Sequence, residues 1–446
     1  MAQAPATYDR YLADFERFDR ETVTAQPEWL SGLRRDAIKH FEGIGLPTAR
    51  KGNEPWKYTN IAPIAGMEFA HGLPPARTLT SQEVAAVAPW CTVWKELVFV
   101  NGRYSPALSS RDFDGVVALN LAEALSSHGD TVRKYLGQLA THDYDGFTAL
   151  NTAFLGDVAF VYVPDGAEIP VHLHVLFVTT RADGPVVSYP RTLIVAGRQS
   201  KLTMVESYVS VDGGLYLNDA VTEIALEDGA HLEHHRVLLD RDAYHVGVTR
   251  VRQGRDSRFA STAFSTGPAL ARHDLNVLLD DTGAECRLLG LYVTAGDQHI
   301  DNYLSIDHAK PHCTSRLYYK GILDDRSRAV FGGTVLVREG AVKTDAHQED
   351  KNLVLSNEAE VDSKPALEIY ADDVKCGHGA TAGAIAEDAL FYMRSRGLDE
   401  ETAQAFLVKG FAAEILDQVT VEPLHAYLSE RTTQALPRFR RTEAAA

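Results

Sequence analysis

The sequence predicts a mainly β protein, with a core of many short strands set between a helical N-terminal region and a helical C-terminal domain. Three observations carry this. Across residues 158–383 apolar residues alternate with a period of two in short runs rich in β-branched side chains, such as Val161-Tyr-Val163, Thr192-Leu-Ile-Val195 and Val221-Thr-Glu-Ile-Ala-Leu226, with no helical segment between them. Turn signals recur loosely through the same stretch at Asp165-Gly-Ala167, Asp228-Gly-Ala230, Thr282-Gly-Ala284 and Asp324-Asp-Arg326. On either side the period is helical. Recurrence of one unit points to a solenoid, yet a β-sandwich with hairpin loops meets the same alternation, so periodicity leaves both open.

Taken in order, Tyr8, Tyr11, Leu12 and Phe15, then Leu30, Leu33, Ile38 and Phe41, recur at helical spacing among charged residues. Gly43 and Gly45-Leu-Pro47 end the second segment. Pro55-Trp-Lys-Tyr58 reads as an aromatic loop anchor, and Leu121, Leu125, Val132, Tyr135 and Leu136 mark a further helix. The chain therefore divides into a mainly helical region at 1–157, the strand-rich core at 158–383 and a helical domain at 384–446.

In the last part, Asp388–Arg396 forms a helix stopped by Gly397. Asp399 then caps another, with Glu400 and Glu401 near its positive end. Phe406, Leu407, Phe411, Ile415 and Leu416 are expected on or near one face of that helix. Such a knob is expected to cover the open end of a solenoid. Phe406, Leu407 and Phe411 exceed what a small cap buries, which makes them candidate partner-binding residues. Pro423–Leu428 leads to Arg438-Phe-Arg-Arg441 and an Ala-rich tail expected to fray.

A length of 446 residues allows a large core, and a net charge of −17 argues against nucleic acid or an anionic membrane as partner. The first residues carry no apolar signal core, and no apolar run reaches the length of a membrane span. Cys91, Cys286, Cys313 and Cys376 form no Cys-x-x-Cys pair, which disfavours disulfides and a self-contained zinc site; a reducing, cytoplasmic setting follows. There is no Gly-x-x-x-x-Gly-Lys-Ser/Thr loop, so no nucleotide is expected on this chain.

The chemistry concentrates at Cys376-Gly-His378. On an extended strand these side chains share a face about 7 Å apart. A thiolate and an imidazole suit iron, zinc or an iron–sulfur unit, but two ligands do not close a site, so others must come from elsewhere, a partner chain being one source; a Cys packed as a small hydrophobe beside a hydrogen-bonded His fits the same two residues. The words around them, Asn352-Leu-Val-Leu-Ser-Asn-Glu-Ala-Glu360, Pro365-Ala-Leu-Glu-Ile-Tyr-Ala-Asp-Asp-Val-Lys-Cys-Gly-His-Gly-Ala-Thr381 and Asn53-Glu-Pro-Trp-Lys-Tyr-Thr-Asn60, closely resemble the SufB/SufD family of iron–sulfur cluster assembly proteins, from about residue 50 to about 420. Gly379 after His378, and only four cysteines, look like the SufD branch.

The resemblance implies a right-handed parallel β-helix for the core and a non-catalytic scaffold function. It implies pairing with a SufB-like paralogue, or with a second copy when alone, and docking of a SufC-like ATPase on the C-terminal helices. His378, with Cys376 second, would contact iron or a transient iron–sulfur cluster at the partner interface. Asp345, His347, Glu349 and Asp350 resemble the strand near that interface, with His347 a weaker candidate for iron contact. Two other readings compete: a SufB-like scaffold receiving sulfur directly, and a β-helix carbohydrate-active enzyme using Asp280/Asp281 or Asp324/Asp325. His172/His174 and His231/Glu233/His235 have metal-like spacing but are read as hydrogen-bonded residues, and His312 and Cys313, being adjacent, should not chelate together.

Overall fold

A computed structural model describes residues 5–22, 26–49, 53–71, 77–180 and 184–436. The Tyr8 side chain, Arg438–Arg441 and the Ala-rich tail lie outside what is described. Strand pairing decides between solenoid and sandwich. Tyr216–Leu226 pairs in parallel with Tyr244–Gln253, which pairs with Leu270–Leu279, and so on to Glu360–Ile369. A second parallel series runs from His231–Leu238 through Arg258–Thr266 and Glu285–Thr294 to Lys375–Gly383. Each turn of chain lays one strand in an eleven-stranded sheet and the next in a ten-stranded sheet, giving a β-solenoid of about eight turns.

Period two explains the burial. Cys286, Leu288 and Tyr292 point into the central core, whereas Leu289, Leu291 and Val293 point out of the same strand into another cluster. The recurrent turns stack as well. Gly166 N donates to Arg198 O, Gly229 N to Arg255 O at 2.7 Å and Asp256 N to Thr282 O at 3.0 Å, so corner backbone groups are satisfied by the coil above or below. Gly283 has φ +77, and a Cβ there would run into the Asp256 carboxylate of the preceding coil.

The region before the core is less helical than its periodicity implies. Lys95–Val100 joins the ten-stranded sheet in parallel with Leu173–Thr179 and turns back on Arg103–Tyr104, while Val117–Leu119 runs antiparallel to Ala159–Val163. The turn is Asn101-Gly102, with φ of 49° and 76°; an Asn-Gly pair after an apolar run is the sequence signal for such a hairpin.

Each outer sheet face is covered over part of its area. Phe41, Trp56 and Phe147 from the N-terminal region pack with Leu217 and Val246 of the eleven-stranded sheet and with Tyr189, in the link between two of its strands. As expected of an anchor, Trp56 is buried, stacked on Phe147 and covered by the Arg272 guanidinium. The C-terminal helices Glu400–Leu416 and Glu422–Ala435 set Ile415 and Leu424 against Leu289, Leu291 and Ile322 of the ten-stranded sheet. They lie on the side of the solenoid, so the expectation that they cap its end is corrected: their apolar stripe matches outward-facing strand residues.

One contact ties the long C-terminal helix down. Lys320 Nζ, from a side chain only 1% exposed, meets Glu414 Oε2 at 2.8 Å and sits 3.7 Å above the Phe411 ring, and Tyr318 donates to the same carboxylate at 2.5 Å. Lys320→Ala removes both the charge contact and the cation–π contact. Amide exchange across Glu400–Leu416 is then expected to rise while the solenoid strands stay protected. Unchanged exchange there would show that the contact does not hold the helix.

Candidate functional site

The strand Lys375–Gly383 is the last of its sheet, and Glu360–Ile369 is the last of the other. Among the described residues each is paired along one edge only, and neither strand fully buries a side chain. In register, Cys376 lies beside Ala346 and His378 beside Gln348. Ala346 is fully buried and Gln348 is 2% exposed, so this face of the strand is the inward one. The structure therefore brings Cys376 and His378 together on the inner face of the terminal coil, at an end of the solenoid that no other described residue covers.

Their environments differ. Cys376 is half-buried against Val335, Val337, Ala341 and Ala346, and desolvation there pushes its thiol up from the ordinary range. A thiol so placed is a poor thiolate. His378 is exposed, and among the described residues its side chain makes no hydrogen bond or ion pair. It is the group presented to whatever meets this end. His347 lies on the opposite face of its strand, exposed, with Nε2 3.2 Å from Asp345. It is thus separated from Cys376 and His378, because a strand turns successive residues to opposite sides. Asp345 and Glu349 share that outer face, and only Asp350 of the group points inward.

Below the terminal coil the lining is polar. Asp350 Oδ2 accepts from Ser363 Oγ and Asn352 Nδ2, both at 2.7 Å, and Tyr292 OH donates to Asn352 Oδ1 at 2.5 Å. Gln348 donates its amide to Gly333 O at 3.1 Å. Among the described residues Asp350 Oδ1 and Gln348 Oε1 have no further hydrogen-bond partner, although the Tyr292 hydroxyl also faces the Asp350 carboxyl. Burial pushes the Asp350 carboxyl up to about 6 in spite of its hydrogen bonds. Among the described residues no three His, Cys, Asp or Glu side chains come close enough to hold a metal ion, so the end of the solenoid is at most part of a site.

Other histidines are spent on structure. His174 bonds Ser207 at 2.8 Å with Glu96 on its other side, and His234 meets Glu206 at 3.0 Å inside the core. Cys313 is buried, with its thiol directed to Asp281 O, while His312 occupies a positive-φ turn position. The acids proposed for sugar chemistry are corner residues: Asp281 pairs with Arg255, Asp280 with Arg252, and Asp324 accepts from Asp325 N.

The second exposed feature is aromatic. The helix Glu387–Ser395 buries no residue, and Phe391, Tyr392 and Phe406 are 75%, 59% and 57% exposed. Phe411 faces the solenoid under Lys320, and Leu407 is half-buried, so the expectation that Phe406, Leu407 and Phe411 share one face is corrected. Positions 406 and 411 are about 140° apart on a helix. Among the described residues no helix is long and apolar enough to cross a membrane.

A family model for the SUF system FeS cluster assembly SufBD core domain matches residues 177–411, and one for the SufBD protein N-terminal region matches residues 6–175. The chain belongs to the SufBD family. It is 34% identical over 415 residues to an iron–sulfur cluster assembly SufBD family protein of Synechocystis, covering 90% of both chains. It is 30% identical to iron–sulfur cluster assembly protein SufD of Escherichia coli, covering 90% of this chain and 92% of the other. With SufD of Bacillus subtilis the identity is 28%, covering 92% and 94%. The chain is thus an iron–sulfur cluster assembly protein of this family. The SufBD core match spans most of the solenoid and the beginning of the C-terminal helices, including the strand that carries His378.

Proposed function

We propose that this chain is a SufD-like, non-catalytic scaffold of the cytoplasm. It pairs with a SufB-like paralogue through the open end of the solenoid and helps to build a transient iron–sulfur cluster there. The observation that carries the reading is the exposed, unbonded His378 on the inner face of an end strand whose outer edge is unpaired. A partner strand would satisfy that edge and place its own thiolate opposite the imidazole. Iron and sulfide are cargo in this scheme, and the His378 imidazole would ligate iron, to which sulfide binds, until the partner's ligands complete the set; Cys376 contributes less, its thiol being packed against apolar side chains. The SufB-like alternative requires a reactive cysteine, and of the four here Cys286 and Cys313 are buried.

The exposed aromatic residues of the C-terminal helices are the proposed dock for a SufC-like ATPase. Closure of that ATPase would pull on Glu400–Leu416, which packs on Thr314–Leu323, two strands from the one bearing His378. Phe391→Asp with Phe406→Asp is expected to weaken ATPase binding by about 2 kcal/mol or more, roughly thirtyfold in Kd, as loss of aromatic anchors does. Neither side chain supports the core, so the fold should be unaffected. Unchanged affinity by titration calorimetry would refute this placement, and failure of the wild-type chain to bind any ABC-type ATPase would remove the partner.

A further inference from the structure

We propose that residues 53–60 form a strap that holds the end strand Glu360–Ile369 straight and in register, so that the N-terminal region prepares the edge on which a partner strand pairs. The inference rests on the reading above that a partner docks at this end of the solenoid. It gives the Asn53-Glu-Pro-Trp-Lys-Tyr-Thr-Asn60 motif a role beyond packing.

The strap crosses four consecutive strands of the eleven-stranded sheet, from Leu270–Leu279 through His299–His308 and Arg328–Val337 to Glu360–Ile369, about 14 Å at ordinary strand spacing. One end is anchored inside the protein. Trp56 is stacked on Phe147 with the Arg272 guanidinium 4.2 Å from its ring, and Thr59, 0% exposed, bonds the Asp301 carboxylate and, at 3.0 Å, His299 Nε2. At the other end Glu54 Oε2 meets Lys364 Nζ at 2.7 Å, a contact 310 residues apart in the chain. Between these ends Pro55 and Tyr58 share a cavity of about 70 Å³ with Tyr303, Val330, Gly332 and Thr334 of the sheet. Tyr303, Gly332 and Lys364 are register neighbours in one row, and a Cβ on Gly332 would run into the Tyr303 ring. The strap therefore stands off the sheet in its middle and reaches the end strand through the Glu54–Lys364 pair.

The end strand needs such a hold. It fully buries no side chain and among the described residues is paired along one edge only, the condition under which a strand opens locally. An opened strand offers no regular row of N–H and C=O groups, and apparent affinity falls with the fraction of chain that is competent to pair. The end strand of the other sheet, Lys375–Gly383, lacks this cover. Its outward positions 377, 379 and 383 are glycines, and among the described residues a Cβ at Gly379 or Gly383 would meet no atom within 4 Å. The two end strands are thus held unequally.

The test is amide exchange of the full chain alone, followed by the affinity of the same variants for the SufB-like partner. In wild type the paired amides of Glu360–Ile369 should exchange more slowly than those of Lys375–Gly383. Lys364→Ala, and separately Glu54→Ala with Tyr58→Ala, should speed exchange in Glu360–Ile369 by a factor of about two to five, the range that an exposed ion pair allows, and leave Tyr244–Gln253 and Lys375–Gly383 as they were. Glu54 and Lys364 are more than half exposed and Tyr58 is half-buried, so the urea midpoint should not move. The Kd for the partner should rise in the same variants by no more than the exchange factor, because only the fraction of ordered edge has changed. Unchanged exchange in both variants, or equal acceleration of both end strands, would overturn the strap. Faster exchange with an unchanged Kd would overturn its part in pairing, and a Kd rise well beyond the exchange factor would mean that these side chains touch the partner themselves, which overturns the positioning role. If exchange behaves as expected but the wild-type chain does not pair with the partner, the docking reading falls and the strap's hold on the strand stands.

Discussion

Glu223→Ala is expected to destabilise the protein by about 3–5 kcal/mol, more than any other single change proposed for this chain. Glu223 and Arg191 are both fully buried between the eleven-stranded sheet and the N-terminal region, with Nη2 to Oε2 at 2.6 Å. The carboxylate also accepts from the backbone N–H groups of Gly137, Leu139 and Ala140, all within 2.9–3.0 Å, and Arg191 Nη1 donates to Asn151 at 2.9 Å. Removing Glu223 strands a buried guanidinium and three amide donors together. Breaking the exposed pair between Lys201 and Glu168 should leave the transition where it was. Urea midpoints of the two variants compare the effects directly. A Glu223→Ala midpoint equal to that of Lys201→Ala would show that the network does not hold the N-terminal region to the solenoid.

Why this network escaped the sequence, while the solenoid's strands did not, is a matter of range. Alternation is local, so the strands from Val161 onward and the corner glycines could be read directly. Which strand pairs with which is not local: Gln348 meets His378 thirty residues away only because every coil has nearly the same length, and period two cannot distinguish that from a hairpin. The resemblance of the residues around Cys376 and His378 to a family supplied the missing pairing.

Charged residues in the core were illegible for the same reason. Glu223, Arg191 and Asp350 sit in strands where charge ordinarily means solvent, and their partners come from other coils or from the N-terminal region. On the C-terminal helix the difficulty was different. Ala403, Ala405, Val408 and Ala412 form its buried side, so apolar residues occur nearly all round and the stripe does not say which face docks. Helical spacing alone therefore groups Phe406 with Phe411, although one faces solvent and the other Lys320. Strand alternation, by contrast, already set His347 apart from His378 once the register was known.

His378→Ala is the second large effect, and it bears on the role of the open end. The side chain is exposed and unbonded, so its loss should cost the fold little. If it is a ligand, the assembled complex should lose at least about tenfold in bound cluster, the scale on which metal sites respond to loss of even supporting groups. Cys376→Ser should have a smaller effect, because that thiol is half-buried and held up in its protonated form. The most direct measurement is iron and acid-labile sulfide bound by the complex reconstituted from this chain, its SufB-like partner and the ATPase, compared between wild type and His378→Ala. An intact His378→Ala complex with cluster reduced tenfold or more is the predicted result, whereas an intact complex with wild-type iron and sulfide would contradict the assignment of this end of the solenoid to cluster assembly.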